Sequence, residues 1–411
     1  MRSRHNLIAA LDVGSTKVCC FVAKPERELR VIGFGHHASR GIKGGTIANM
    51  EQAEASVVSA VHAAEQMAGE TIHSVLVNLS GGLLASDMRS IEVSIAGHEV
   101  GDADMRRALA QGRAGYAEPD RELIHSIPIG YTIDGTRGIR DPRGMYGDKL
   151  GVAMHLVSAA SGAVRNLSSC VGRCHLDIES FVVSPYASGL ACLVEDEIDL
   201  GVTCIDMGGG TTTIAVFLDG NVVYTDGVAL GGAHVTNDIA RGLSCSLAHA
   251  ERMKTLYGSA IASPRDDQEI IDVPLIGEDN PAQANHVPKS LLTGIIQPRV
   301  EETLELVRDR LEGCGFNKLA GRRVVLTGGA SQLQGVRELA AQVLDKQVRL
   351  GRPIRIHGLA ESAGGPAFST AAGMLAHAMR SSHGQSHLGR GLMVEPNRLI
   401  ARLGHWLKEN F

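Results

Sequence analysis

The sequence predicts an α/β protein of two duplicated lobes that face each other across a cleft, with a small α+β subdomain inserted into the first lobe. Three observations carry that expectation. LIAALDVGSTKVCCFVA and, about two hundred residues later, GVTCIDMGGGTTTIAVFLDG share one pattern: an apolar β-type run ending in Asp (Asp12, Asp206), a Gly/Ser/Thr turn, and a second β-type run. RRVVLTGGASQLQGVRELAAQVL alternates a buried strand, a turn at Gly328 and Gly329, and a helix with Leu333, Val336, Leu339 and Ala340 at helical spacing. From about Ser86 to Leu167 the chain changes character, to strand-like pieces broken by turns.

Taken in order, the first hairpin is followed by MEQAEASVVSAVHAAEQMAGETIHSVLVNLS, whose spacing predicts a long helix closed by Gly69 and then a strand. In the insert, SIEVSIAG and LIHSIPIGYTI alternate as strands do, and DGTRG and DPRGMYG mark turns. The stretch Ser259 to Pro288 is polar, rich in acids and prolines, and predicts an exposed loop. PRVEETLELVRDRLEG predicts a helix beginning at Pro298, and SSHGQSHLGRG marks a flexible linker. The expected division is a first-lobe core over 1–85, the insert over 86–167, and a return to the first lobe over 168–200. The second-lobe core with its own hairpin covers 201–235, and a small subdomain 236–310. A second-lobe core segment returning to the first lobe covers 311–379, a linker 380–396, and a terminal amphipathic helix 397–411.

Composition sets the class. With 411 residues, 44% apolar and 21% charged, the chain has enough material for two compact domains. A net charge of -5 argues against nucleic acid as a partner, which calls for a strongly basic surface. The eight cysteines contain no CxxC pair and lie mostly in apolar runs, as expected of inert thiols in a reducing cytoplasm. Cys170, Cys174 and His175 lack the second ligand pair that a zinc site needs. No stretch reaches the roughly 20 apolar residues of a spanning helix, and Asp12 interrupts the N-terminal apolar run too early for a signal peptide.

A turn of small residues between two strands exposes successive N–H groups that converge on an anion. Gly14, Ser15 and Thr16 offer such donors and hydroxyls, and Lys17 adds a positive charge; Gly208, Gly209, Gly210, Thr211 and Thr212 form the second set. Asp12 and Asp206 end their strands toward the same space, where carboxylates hold the water shell of a phosphate-bound magnesium ion. Either turn alone is also an ordinary Gly-rich hairpin. Neither is a Walker loop, which needs GxxxxGK[ST], nor a GxGxxG dinucleotide fingerprint.

Together, LDVGSTK, IDMGGGTT and VVLTGGAS resemble the two phosphate motifs and the adenosine motif of the actin-like ATPase superfamily. The resemblance implies an actin-like (ribonuclease H-like) two-lobed ATPase fold with a duplicated βββαβα-type core, and ATP and Mg2+ as cofactors. Gly328, Gly329 and Ala330 then fall on the adenosine side. Within the superfamily the chain is similar to the FtsA family of bacterial cell division, through SRGIKGGTIANMEQAEASVVSAVHAAEQMAG, the insert and the C-terminal tail. In GGAHVTNDIARGL and AERMK the family likeness places Gly231 and Gly232 near the nucleotide and Glu251 and Lys254 toward its ribose or base. A plain pair on a helix surface explains Glu251 and Lys254 equally well. Hydrolytic relatives carry a glutamate before the proline of the linking helix, where this chain has Ser184 before Pro185. Losing a water-positioning carboxylate removes roughly 10²–10⁴-fold of rate, so the expectation is ATP binding with at most slow hydrolysis.

On an ideal helix of roughly 100° per residue, Leu399, Ile400, Leu403, Trp406, Leu407 and Phe411 fall within one arc of NRLIARLGHWLKENF. Arg398, Arg402, His405 and Lys408 lie opposite, a pattern suited to an anionic membrane surface or to docking on the protein's own core. Family likeness favours the membrane. It further implies a peripheral protein on the cytoplasmic side of the inner membrane, at the division septum, that polymerises. Its partners would be FtsZ and, through the insert, later division proteins. FtsZ would meet the small subdomain near 236–310, where Arg299, Glu302 and Arg308 are candidates, although a charged helix face is more often simply solvated. An MreB-like filament ATPase is the nearest rival, and a small-molecule kinase a more distant one.

Overall fold

The computed structural model of the chain describes residues 7–25, 29–116, 118–274, 276–277, 285–316, 319–354, 356–358 and 361–384. The first lobe opens on an antiparallel meander of β1 (Ile8–Val13), β2 (Lys17–Pro25) and β3 (Leu29–Ala38). A short pair, β4 (Ile42–Lys43) and β5 (Thr46–Ile47), leads into α1 (Met50–Ala68). The Asn49 side chain caps α1 by accepting from the Gln52 N–H at 3.0 Å, and Gly69, left-handed at φ 68°, closes it as expected. Ala53, Val57, Ala60 and Ala64 put a small-residue stripe of α1 against the sheet, and β6 (Ser74–Leu79) runs parallel to β1.

The insert follows as β7 (Ala85–Ser94), α2 (Asp102–Ala114), β8 (Arg121–Ile133), β9 (Thr136–Ile139) and β10 (Lys149–Ala160). Its sheet has the order β7-β10-β8-β9, all neighbours antiparallel. Val93, Ile95, Met105, Ala108, Leu150 and Met154 give it a core of its own. The next helix, α3 (Ser161–Arg173), buries Val164, Leu167, Cys170 and Val171 in the first lobe's core. The boundary expected at 167 therefore falls inside a first-lobe helix. β11 (Asp177–Val183) completes a sheet of order β11-β6-β1-β2-β3.

Two helices, α4 (Ser184–Cys192) and α5 (Glu195–Leu200), carry the chain across to the second lobe. There the meander recurs as β12 (Val202–Met207), β13 (Thr212–Leu218) and β14 (Asn221–Val228), followed by α6 (Gly232–Gly242) and α7 (Leu247–Tyr257). A hairpin of β15 (Ile270–Val273) and β16 (Asn285–Pro288) precedes α8 (Lys289–Gly313). β17 (Arg323–Thr327), α9 (Val336–Leu344) and β18 (Gln347–Leu350) then complete a sheet of order β14-β13-β12-β17-β18, the same order and directions as in the first lobe. Last comes α10 (Ser369–Gly384).

A central core lies between the two sheets, where α4 and α10 are packed between Phe21, Leu76 and Val182 of the first lobe and Cys204, Phe217 and Val325 of the second. The helices touch backbone to backbone, for a Cβ on Gly373 would stand 1.7 Å from the Ala187 carbonyl oxygen.

Several expectations need correction. Part of the 259–288 loop is the β15–β16 hairpin, and Asp266 within it is buried, accepting from the Ser263 N–H and the Thr293 hydroxyl. α8 begins at Lys289 rather than at Pro298, because Pro298 is tolerated inside a helix whose other face is anchored by Leu292, Ile296 and Val300. Leu333 lies outside α9, since Gly335, at φ 78°, turns the chain between a short 3-10 turn and the helix. α10 continues to Gly384, inside the stretch expected as linker; the rest of that linker and the helix expected over 397–411 lie outside the described residues. Among the described residues no helix is long and apolar enough to cross a membrane.

Candidate functional site

The duplicated meanders aim their first turns at each other. In each, the first glycine closes the hairpin: Gly14 N–H donates to the Lys17 carbonyl at 3.0 Å and Gly208 N–H to the Thr211 carbonyl at 2.9 Å. Those two amides are therefore spent within the turns. The N–H groups of Ser15, Thr16, Gly209 and Gly210 at the tips have no partner among the described hydrogen bonds. A Cβ on Gly209 would lie 2.3 Å from Thr16 Cγ2, and one on Gly210 2.3 Å from Ser15 Oγ. Side chains from one turn thus fill hollows that only glycine leaves in the other.

Between the turns opens a cleft of about 480 Å³. Asp12, Gly14, Ser15, Thr16, Lys17, Asp206, Gly208, Gly209, Gly210 and Thr211 line it from the two hairpins. Gly231, Gly232, Glu251, Lys254, Gly328, Gly329 and Ala330 line its far end. Thr212 is the exception among the expected cleft residues: it is fully buried, and its hydroxyl donates to the Leu230 carbonyl at 2.9 Å. It begins β13, where the strand has already turned its side chain away from the cleft.

The two acids sit at equivalent places in β1 and β12 and have different surroundings. Asp12 is buried, and its Oδ2 accepts a long hydrogen bond from the Cys19 thiol, 3.8 Å away. Burial pushes its carboxyl up to about 6, against the pull of Lys17 and with a further push from Asp206. Asp206 Oδ2 accepts from the Ser188 hydroxyl of α4 at 2.5 Å and from the Thr370 hydroxyl of α10 at 2.9 Å. Burial raises it too, and these two donors and Lys17 oppose the rise. Two buried carboxylates facing a cleft that also holds Lys17 fit a hydrated divalent cation, which would relieve their desolvation.

At the far end Gly232 and Ala233 N–H groups donate to the carbonyls of Gly208 and Gly209, at 2.9 and 2.8 Å, pinning the start of α6 on the second turn. Lys254 Nζ donates to Glu251 at 2.7 Å, to the Thr236 hydroxyl at 2.8 Å and to the Gly232 carbonyl at 3.1 Å. The pair is thus built into the cleft wall, with Lys254 half-buried and Glu251 more exposed. Ser184 also lines the cleft, and its oxygen accepts from Asn78 Nδ2 at 3.1 Å while Asn78 Oδ1 takes the Val13 N–H at 2.6 Å.

Asn78, Ser188 and Thr370 are site residues that sequence reasoning missed. Asn78 had a signal, as the single amide in the apolar strand SVLVNL; Ser188 and Thr370 had none, because small hydroxyls in Ala/Gly-rich helices usually serve packing. In the small subdomain, Arg299 Nε donates to Asp238 at 2.5 Å and its other end to Glu302, while Arg308 reaches the Val343 carbonyl at 3.3 Å. Cys170 is buried and Cys174 donates to the Cys170 carbonyl at 3.3 Å.

Comparison with known proteins bears on this architecture directly. The family model for "Cell division protein FtsA" matches residues 203–373, and that for "SHS2 domain inserted in FTSA" matches residues 81–158. Cell division protein FtsA of Rhizobium meliloti (strain 1021) is 47% identical, over 99% of this chain and 96% of that protein. The FtsA of Pseudomonas aeruginosa is 35% identical, over 98% of each, and that of Escherichia coli (strain K12) 32%, over 99% of each. Among solved structures, a PilM-PilN type IV pilus biogenesis complex superposes with a TM-score of 0.62 at 18% identity, covering 90% of this chain and 98% of that one. MreB5 of Spiroplasma citri bound to ADP gives 0.54 at 12%, covering 94% and 99%. At those identities the likeness is one of fold, and the fold is actin-like. With relatives this similar over nearly its whole length, the chain belongs to the FtsA family of cell division proteins.

Proposed function

We propose that the chain is an ATP-binding, self-associating adaptor that tethers FtsZ filaments to the cytoplasmic face of the inner membrane at the division septum and helps assemble later division proteins there. The observation that carries the nucleotide part is the opposition of two small-residue turns, each beside a buried carboxylate, across one cleft closed by a third glycine turn. In this reading Ser15, Thr16, Lys17, Gly209, Gly210 and Thr211 hold the phosphates, and Asp12 and Asp206 hold Mg2+ through its water shell. Gly231, Gly232, Glu251, Lys254, Gly328, Gly329 and Ala330 hold the adenosine. Ser184, already engaged by Asn78, is a poor general base, so the nucleotide acts as a bound ligand that turns over slowly.

The membrane part rests on the apolar arc Leu399, Ile400, Leu403, Trp406, Leu407 and Phe411 and its basic opposite face. Few side chains insert from one such helix, each contributing about 1–3 kcal/mol, so polymerisation strengthens attachment by multiplying anchors. FtsZ is assigned to the small subdomain near 236–310 and the later proteins to the insert. Calorimetric titration of ATP tests the cleft: binding near one equivalent with Mg2+ is expected, weakened at least about tenfold in both Asp12→Asn and Asp206→Asn. Unchanged affinity in both variants would remove the assignment.

A further inference from the structure

The turn Pro366–Phe368, just ahead of α10, touches the first and third turns of the cleft. Lys17 of the first turn donates its Nζ to the Ala367 carbonyl, and the same ammonium stands 3.6 Å over the Phe368 ring centroid. Gly328 of the third turn donates its N–H to the Pro366 carbonyl at 3.2 Å. Two residues on, Thr370 holds Asp206 of the second hairpin. Phe368 is itself wedged into the first lobe, with ring centroids 5.5 Å from Phe34 and 6.1 Å from Phe21.

Resting on the nucleotide reading above, we propose that Phe368 is a positioning residue for Lys17, and that the pair makes the 366–368 turn report whether the cleft is filled. A neutral carbonyl and an aromatic face hold an ammonium more weakly than a polyphosphate does. When phosphate enters, Lys17 exchanges Ala367 and Phe368 for phosphate oxygens, and the turn loses its polar tie to the first hairpin while Phe368 keeps its packing on Phe21 and Phe34. The Thr370–Asp206 bond remains, so the change is confined to the turn and the entry to α10. Asp12 and Asp206 are the other charged groups facing Lys17, and neither leaves the cleft in the exchange. By reciprocity, weakening the hold of the turn on Lys17 strengthens nucleotide binding.

The test uses the full-length chain with Mg-ATP as the probe, following ATP affinity and amide hydrogen exchange over 367–370. In the unmodified chain ATP binding speeds exchange of these amides about threefold or more. Phe368→Leu exchanges fast already without ATP and binds ATP about threefold more tightly, while Phe368→Tyr, which keeps the ring, restores the unmodified behaviour. Thr370→Val raises exchange to a similar extent with and without ATP. ATP binding that leaves these amides unchanged or slows them overturns the inference, as does a Phe368→Leu variant indistinguishable from the unmodified chain. An unmodified chain that binds no ATP overturns the nucleotide reading and this inference together.

Discussion

The two lobes repeat one design and end in unequal sites. β1 and β12 place their acids identically, opposite Cys19 in one hairpin and Thr213 in the other, and each hairpin closes with the same glycine N–H bond. Yet Asp12 faces a thiol and Lys17, whereas Asp206 is held by hydroxyls from α4 and α10. The turns differ likewise, the first bringing side chains (Ser15, Thr16, Lys17) and the second mostly bare backbone (Gly208, Gly209, Gly210). A repeated sheet fixes where the acids stand; the helices that join the lobes decide what each acid is bonded to.

That comparison is broken most severely at the crossing of the joining helices. Gly373→Ala puts a methyl into the Ala187 backbone, where nothing can give way, and should cost about 3 kcal/mol or more in denaturant unfolding. A loss of a few tenths of a kcal/mol would show that the crossing has slack.

The acids themselves are the next test. Because burial holds the Asp12 carboxyl near 6, the folded protein binds its proton more tightly than the unfolded chain does, and stability is lost as pH rises from about 4 through 6. Asp12→Asn should therefore raise the melting temperature of the nucleotide-free protein at pH 7, by about 1 °C per kcal/mol recovered in a chain of 411 residues. Asp206→Asn should not, since it weakens two bonds to α4 and α10. Equal shifts in both variants would contradict the asymmetry.

The insert offers a third comparison, because its buried histidines each face one lobe. His125 Nε2 takes the Val183 N–H of β11 at 3.1 Å, while His155 bonds Ser86, which takes the Thr225 N–H of β14. Burial lowers them to about 3 and about 4. The unfolded chain therefore binds more protons below about 6.5, and stability should fall as pH drops from there toward 4. Thermal melts of His125→Gln and His155→Gln should show part of that pH dependence removed. The smallest effect is expected at Lys254→Met, a few-fold loss of ATP affinity with the fold intact.

Much of this was legible in the sequence. The repeat of an apolar run, an Asp and a small-residue turn located both hairpins, and Gly69 marked the end of α1 correctly, because period and turn chemistry are local properties. What escaped depends on contacts distant in sequence. The first half of α3 reads like part of the insert until its Val164 and Leu167 meet the first lobe, and Pro298 looks like a helix start until Leu292 and Ile296 are seen buried before it. Thr212 looked like a cleft residue because its turn-like neighbours did, but strand geometry turns its hydroxyl to Leu230. Ser188 and Thr370 meet Asp206 only through the helix packing, at separations of 18 and 164 residues.

The adaptor reading is tested most directly by co-sedimenting FtsZ polymers with anionic liposomes in the presence of ATP, comparing the full-length chain with one ending at Pro396. The account predicts that FtsZ reaches the liposomes with the full-length chain alone. FtsZ left in the supernatant with both, or carried down equally by both, would contradict it and turn attention to a stand-alone filament.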